Sequence, residues 1–215
     1  KISSYLGTDH QELYLSEKDL LDTIMNLPNI YSEPFADSSQ IPTILLSKLT
    51  RSKVTVSLSG DGGDEIFGGY GRYFLGQRVK SYLGFLPYNL RKAIKSSKLI
   101  NLQKPLVKAL FGKSVTNFDQ KFIKFEKVFD YLDDKNLFDK LALFDNNLVK
   151  GPAASVKTNL IWNTDISYYK KAMIDDAINY LPGDILTKVD IAGMSVSLET
   201  RIPLLNHKIC LLYTS

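Results

Sequence analysis

A strand pattern that leads directly into a glycine-rich loop constrains the fold of this chain more than any other feature. Residues 53–58 are β-branched and alternate between apolar and polar side chains, which is typical of a short strand. Six of the chain's 13 glycines then fall between residues 60 and 71. Glycine lets a backbone turn sharply and approach a ligand closely, and parallel sheets bind ligands beyond the carboxyl ends of their strands. The pattern therefore predicts an α/β fold with a site at the end of this strand.

Apolar residues recur at helical spacing on both sides of the predicted strand. Ser16 precedes one such helix and is placed to cap it, and Pro28 is expected to end it. Residues 41–49 predict a buried helix, and most of residues 70–180 have a helical period. The last helix of that stretch is expected to stop before Pro182. This order of elements indicates an α/β layer with a partly parallel sheet, followed by a large helical segment.

The composition is that of a globular protein with one domain or two small ones. The chain has 215 residues, of which 44% are hydrophobic and 23% are charged. No window of about 18 apolar residues predicts a membrane span, and no signal peptide is visible at the start. Cys210 is the single cysteine, which excludes an internal disulfide and a cysteine-based zinc site. We therefore expect a cytoplasmic protein without a membrane partner.

Residues 88–127 carry ten lysines and arginines but only two acids. This charge is compatible with an anionic partner such as nucleic acid, or with solvated helix faces whose lysines lie over apolar neighbours. The cations are spread along the segment rather than clustered, which favours the second interpretation. Four phenylalanines at spacings of four, three and four residues predict a core stripe within residues 118–132.

The glycine-rich loop also contains three acids, Asp61, Asp64 and Glu65. Such acids would repel a bare phosphate, but Mg²⁺ typically binds one or two carboxylates together with phosphate oxygens. A carboxylate here could instead accept a proton from an attacking amine, or the loop could be a surface turn with solvated acids. Calcium binding is not favoured, because the spacing differs from that of an EF-hand. The loop has neither a Walker A motif nor a dinucleotide fingerprint.

A second group of charges stands in an apolar run near the end of the chain, at Lys188, Asp190, Glu199 and Arg201. Charges in such surroundings are either paired or functional. The structural alternative is two ion pairs, Lys188 with Asp190 and Glu199 with Arg201. Residues 186–198 have helical apolar spacing, and residues two apart do not share a helix face. We therefore expect partners from outside the run.

Together, residues 59–70 and 181–207 resemble the synthetase domain of the glutamine-hydrolysing asparagine synthetases. The first stretch matches the family pattern S-G-D/E-G-x-D-E-x-F-G-G-Y throughout. The second matches L-P-x-D-x-L-x-K-x-D-x-x-x-M-x-x-S-L-E-x-R-x-P-x-L-D-H nearly in full. Residues 6–10 and 33–39 also resemble family chains, so the resemblance runs from Leu6 to about residue 209.

The resemblance implies an adenine-nucleotide α-hydrolase fold, of the PP-loop ATP pyrophosphatase kind, and an ATP-dependent amide-forming ligase. ATP would adenylate the side-chain carboxylate of aspartate with release of pyrophosphate. Ammonia from glutamine would then displace AMP and give asparagine. The implied cofactors are ATP and Mg²⁺. By the match, the loop backbone binds ATP at Ser59, Gly60, Gly62 and Gly63, and Asp64 holds Mg²⁺.

The same resemblance implies roles for the other matched charges. The catalytic assignments are Asp61, for substrate positioning or proton removal, and Lys188 and Asp190, as charged groups near the active site. The supporting residues are Glu65, Glu199 and Arg201.

Three features of the family are expected but not found in this sequence. They are the pyrophosphate loop Ser-Gly-Gly-x-Asp-Ser, the amino-terminal glutaminase domain with its Cys nucleophile, and a basic residue beyond the second motif. We therefore expect a fragment truncated at both ends, inactive when isolated, from a full-length protein that could form a homodimer. The alternatives are a family amidotransferase acting on another carboxylate, such as a sugar acid, and a non-catalytic remnant.

We expect one partial synthetase domain over residues 1–209, organised in three parts. Residues 1–80 would form the α/β part with the nucleotide site, residues 81–180 a mostly helical part, and residues 181–209 a return to the active site. Residues 210–215 do not resemble the family and are expected to be a foreign tail.

Overall fold

The computed structural model describes residues 1–96, 133–142 and 159–214, which fall into two compact units. Unit 1 comprises residues 1–62 and 180–215, and unit 2 comprises residues 63–179. The first boundary between the units lies inside the glycine-rich loop. The predicted phenylalanine stripe lies outside the described residues, and each unit is treated by itself below.

The elements of the described residues are, in chain order, α1 (Ile2–Leu6), α2 (Glu17–Ile30), α3 (Gln40–Arg51), β1 (Val56–Leu58), α4 (Gly63–Phe67), α5 (Gly71–Leu83), α6 (Tyr88–Ser96), α7 (Asp134–Ala142), α8 (Asn159–Trp162), α9 (Tyr168–Asp175), a π-helix (Asp176–Leu186), α10 (Thr187–Met194), β2 (Glu199–Arg201), a 3₁₀ helix (Pro203–Leu205) and α11 (His207–Thr214). Helices dominate the described residues, as the helical period predicts. No helix among them is both long and apolar enough to cross a membrane.

The sheet of unit 1 consists of β1 and β2, which pair in parallel. Val56 faces Glu199, Ser57 faces Thr200, and Leu58 faces Arg201. The predicted strand and the parallel pairing are therefore confirmed, although β1 is shorter than residues 53–58. Because the strands are parallel, their carboxyl ends lie at the same edge of the sheet.

The start of α2 confirms one prediction, and the end of α2 contradicts another. The Ser16 side chain accepts from the Asp19 N–H, and the Asp19 side chain accepts from the Ser16 N–H, so the predicted cap is a capping box. Pro28, however, lies inside the helix, which continues to Ile30. A proline near the last turn removes only one backbone hydrogen bond, and the following residues can keep helical geometry.

Helices α3 and α10 pack against each other and form the core of unit 1. Ile44 and Ala192 are fully buried, and Tyr31 stacks on Phe35 with ring centroids 5.3 Å apart. Leu46 on α3 is 54% exposed, so the predicted buried helix is buried on one face only. This packing holds α10, which carries part of the second motif, against α3.

The π-helix corrects the prediction that helical structure stops before Pro182. It contains Pro182 and continues to Leu186. In the wider π turn the missing N–H of a proline again costs one backbone bond. The side-chain hydroxyl of Thr187 donates to the carbonyl oxygen of Pro182 at 2.8 Å. Helical geometry then ends at Met194 rather than Leu198, because residues 199–201 form β2.

Unit 2 has an aromatic core with charged groups around it. Tyr73 and Tyr168 are buried among apolar residues of α5, α7, α8 and α9. The Tyr73 hydroxyl donates to Asp176 at 2.6 Å, and the Arg72 guanidinium donates to the same carboxylate at 2.5 Å. Burial raises the pKa of Asp176 although both partners oppose the shift. The carboxylate therefore depends on these two hydrogen bonds.

Gly76 offers a test of the contact between α5 and α9. A Cβ at Gly76 would lie 2.1 Å from two ring carbons of Tyr168, which is only 2% exposed and cannot move aside. Gly76→Ala is therefore expected to lower the free energy of unfolding by about 1–3 kcal/mol. Gly71→Ala, in the first turn of the same helix with open space at its Cβ, should be neutral or stabilising. Equal effects of both changes in chemical denaturation would contradict this packing.

Glu199 and Arg201 form a surface ion pair, with Arg201 Nε 2.7 Å from Glu199 Oε1. The expectation of outside partners for these two residues is wrong, because residues two apart share a face of a strand. Their side chains are 57% and 64% exposed, respectively, so the pair is expected to be weak. A double-mutant cycle of Glu199→Gln and Arg201→Gln should give a coupling energy below about 1 kcal/mol. A larger coupling would indicate that the pair is buried in solution.

Candidate functional site

The carboxyl edge of the sheet brings together the start of the glycine-rich loop and the end of the second motif. The Ser59 N–H donates to the carbonyl oxygen of Arg201 at 2.8 Å, which continues the pairing one residue beyond the end of β1. This edge is where open parallel sheets bind ligands. A site at the end of β1 would lie at this edge of unit 1, and it stays a prediction.

Residues 59–62 form a turn that requires glycine at one position. The Ser59 hydroxyl donates to the Asp61 carboxylate, and the Asp61 N–H donates back to the Ser59 oxygen at 3.4 Å. Gly62 has φ +79°, and a Cβ there would lie 2.4 Å from Leu205. Gly60 is exposed with open space around it. The turn thus leaves the backbone at Gly60 accessible, as the nucleotide-binding prediction requires.

The second half of the loop belongs to unit 2, where Gly63 begins α4. Asp64 is exposed, and its Oδ1 lies 1.9 Å from the position that a Cβ on Gly69 would occupy. Glu65 is only 3% exposed and accepts a hydrogen bond from the Tyr70 hydroxyl at 2.9 Å. Burial raises the pKa of Glu65. Two adjacent acids therefore have different surroundings: Asp64 is open to a ligand and Glu65 is part of the interior.

The exposed Asp64 carboxylate fits a magnesium ion that is shared with phosphates. Among residues 1–96, 133–142 and 159–214, no group of three or more His, Cys, Asp or Glu could hold a metal ion by itself. Mg²⁺ does not need such a group, because it binds through one or two carboxylates plus substrate phosphates and water. The donor set is thus compatible with a metal that arrives with a nucleotide.

Lys188 is buried and paired, as the expectation of an outside partner requires. Its ammonium donates to Asp37 Oδ2 at 2.6 Å and to the Ser39 hydroxyl at 2.7 Å. Burial of Asp37 favours its neutral form, but the hydrogen bonds from Lys188 and Ser39 outweigh burial and lower its pKa to about 2. Asp37 and Ser39 are absent from the predicted site, although they lie in residues 33–39, which resemble the family.

Asp184 is a second residue that the predicted site does not include. It lies in the π-helix, and among the described residues its buried Oδ1 has no hydrogen-bond partner. Burial raises its pKa, and the negative charge of Asp37 raises it further. The sequence does contain a signal for Asp184, because the second motif specifies an aspartate at this position, about one helical turn before its lysine.

Asp190 lies apart from Lys188 on the exposed side of α10. It lines a cleft of about 450 Å³ together with Pro182, Leu186, Thr187, Val189, Thr200 and Ile202. Asp190 is the charged residue among them, and it is exposed, whereas Lys188 is 7% exposed. The two residues assigned together as catalytic therefore occupy different surroundings, and their catalytic roles stay predictions.

Comparison with known proteins identifies relatives over nearly the whole chain. The asparagine synthase family model matches residues 1–214. Asparagine synthetase [glutamine-hydrolyzing] 1 of Bacillus subtilis is 28% identical over 201 residues, covering 94% of this chain and 31% of that protein. A Methanocaldococcus jannaschii protein named as a candidate asparagine synthetase [glutamine-hydrolyzing] 2 is 38% identical over 111 residues, covering 52% of this chain and 20% of that protein.

A plant relative matches a shorter stretch at higher identity. Asparagine synthetase [glutamine-hydrolyzing] 3 of Arabidopsis thaliana is 40% identical over 75 residues, which is 33% of this chain and 13% of that protein. The chain spans less than a third of the length of these three relatives. No solved structure matches the chain. The family match covers all described residues of both units, and it includes residues 210–214, which the sequence alone predicts to be a foreign tail. The chain belongs to the asparagine synthase family.

Proposed function

We propose that this chain is part of an ATP-dependent amide-forming ligase that adenylates the side-chain carboxylate of aspartate. Ammonia released from glutamine would then displace AMP and give asparagine. The proposal follows from the family and from the names of the relatives, which are glutamine-hydrolysing asparagine synthetases. The fold we propose is that of the PP-loop ATP pyrophosphatases, with the nucleotide at the carboxyl edge of the sheet.

The observation that carries this proposal is the contact between Ser59 and Arg201 at that edge. It joins the beginning of the first motif to the second motif, at the place where parallel sheets bind ligands. Beyond it, Gly60 presents an open backbone, and the Ser59 hydroxyl and Asp61 carboxylate bond to each other. Backbone N–H groups in such a turn can bind phosphate or ribose oxygens.

The proposed reaction has two steps, and the charges of the reacting groups in each step determine which side chains the site must provide. A carboxylate oxygen attacks the α-phosphorus of ATP, and the bond from that phosphorus to pyrophosphate breaks. The nitrogen of ammonia then attacks the acyl carbon, AMP leaves with the bonding electrons, and the nitrogen loses a proton to a base. Asp61 is the proposed proton acceptor, because it is half-buried in the loop beside Ser59.

Two anions meet in the first step, so the site must reduce their repulsion. Asp64 is the residue that would hold Mg²⁺ with the phosphates, and the metal supplies positive charge there when bound. The buried Glu65 would keep α4 in place through its hydrogen bond from Tyr70. Asp190 faces an open cleft in the second motif, where an acceptor substrate could bind.

The aspartate-dependent exchange of labelled pyrophosphate into ATP tests the proposal. Exchange reports adenylation alone, and it does not require ammonia. We expect Asp64→Asn, in the intact protein that carries this chain, to reduce exchange by roughly 100-fold or more, because a charge-stabilising group is lost. Higher Mg²⁺ should restore part of the loss.

The matched control is Asp22→Asn, an exposed aspartate on α2, which should leave exchange unchanged. Formation of ADP instead of AMP would reject adenylation. Exchange that depends on a sugar acid rather than aspartate would keep the chemistry but change the acceptor. Full exchange in Asp64→Asn would reject the metal assignment.

A further inference from the structure

Three segments of unit 1 bring polar groups together around the Lys188 ammonium. Asp37 and Ser39 precede α3, Lys188 lies in the first turn of α10, and Asp184 lies in the π-helix just before it. The Lys188 and Asp37 side chains are 9% and 13% exposed, respectively. Neither Asp37, Ser39 nor Asp184 has a role in the function proposed above.

We propose that Asp37, Ser39 and Asp184 are positioning residues that hold Lys188, with one proton shared by the two carboxyl groups. Through Lys188 they fix α10 against α3 and so fix Asp190 at its cleft. This inference rests on the proposed function only where it treats Asp190 as part of the site. The cluster itself follows from geometry and charge.

The charge balance of the cluster and the contact between the two carboxyl groups favour a proton held between them. The Lys188 ammonium donates to the Asp37 carboxylate, and the Asp184 carboxyl group interacts with both of these residues. An uncompensated buried charge is strongly unfavourable. Lys188 and Ser39 both donate to Asp37, which is therefore the ionised member. The Oδ1 of Asp184 is buried without a partner, which a neutral carboxyl group tolerates better than an ionised one. The lowered pKa of Asp37 and the raised pKa of Asp184 agree with this division.

Two tyrosines also face the cluster. Burial raises the pKa of Tyr31, and the charge of Asp37 raises it further. The Tyr180 side chain forms a hydrogen bond with Asp184, which favours the ionised form of that carboxyl group. The raised pKa of Tyr31 keeps its hydroxyl protonated in the acidic range, where carboxyl groups titrate. Any pH dependence of the cluster in that range therefore belongs to Asp37 and Asp184.

The first experiment is a ¹³C NMR titration of the Asp37 and Asp184 carboxyl carbons in the 215-residue chain. The wild-type chain should show Asp37 titrating below the ordinary value of 3.8, and Asp184 above it. Lys188→Met should raise both pKa values, because the ammonium that favours both carboxylates is gone. If Lys188 only packs against its neighbours, its loss would loosen the site and return Asp184 toward its ordinary pKa, which would overturn the proposal.

Thermal unfolding between pH 2.5 and 7 gives a second, independent readout. The stabilisation from Asp37 is complete above 3.8 and is lost as the pH falls toward about 2. Asp37→Asn should therefore lower the unfolding midpoint by roughly 5–15 °C at pH 7 and by much less at pH 2.5. The contribution of Asp184 has the opposite sign, because its pKa is raised. Asp184→Asn should accordingly stabilise the chain at pH 7 relative to pH 3.

Two further variants keep the test decisive. If Asp37→Asn or Lys188→Met does not fold, Ser39→Ala removes two hydrogen bonds, one donated to Asp37 and one accepted from Lys188. This change should still raise the pKa of Asp37 in the titration. Asp22→Asn on α2 should show neither pH-dependent effect. Equal midpoint shifts at pH 3 and pH 7 for Asp37→Asn and Asp184→Asn would overturn the proposal. Since no ATP is present, these results are independent of the exchange assay, whose failure would reject only the proposed reaction.

Discussion

The parallel pairing of β1 with β2 is the constraint on which the rest of unit 1 depends. Two parallel strands cannot be joined by a tight turn, so the chain must cross over before it can pair again. In this protein the crossover runs from Ser59 to Leu198 and includes all of unit 2. Parallel pairing also places the residues after both strands at one edge of the sheet. The contact between Ser59 and Arg201 follows from that arrangement, and so does the meeting of two motifs that are far apart in sequence.

Features that depend on neighbouring residues could be predicted from the sequence. The capping box at Ser16 and the strand before Ser59 need only local pattern, and both are confirmed. The two proline predictions failed because each assigned the end of a helix to a missing N–H. A proline inside a helix removes a backbone hydrogen bond and crowds the preceding turn, but packing of the surrounding residues can offset that cost. The pairing of Glu199 with Arg201 was considered as an alternative but disfavoured, because a helical period was assumed where the backbone is a strand.

The candidate site was predictable where a motif marks it and not where distant residues complete it. The charge on Lys188 correctly indicated a partner from outside its own segment. The identity of that partner could not be derived from spacing, because Asp37 lies in a different part of the chain and meets Lys188 only when α3 packs on α10. Asp184 was missed for a related reason. Its importance comes from burial beside Asp37, and sequence reveals only that an acid is present.

The insertion of unit 2 within unit 1 has a consequence for the order in which the chain folds. A ribosome releases residues 1–62 well before β2. The strand β1 therefore has no strand to pair with until all of unit 2 has been synthesised. Unit 2 is one continuous segment and can pack as it emerges, whereas unit 1 must close a very long loop. Contacts between residues so far apart in sequence form slowly. Completion of the sheet, and with it the edge that carries both motifs, is therefore expected to be a late event in folding.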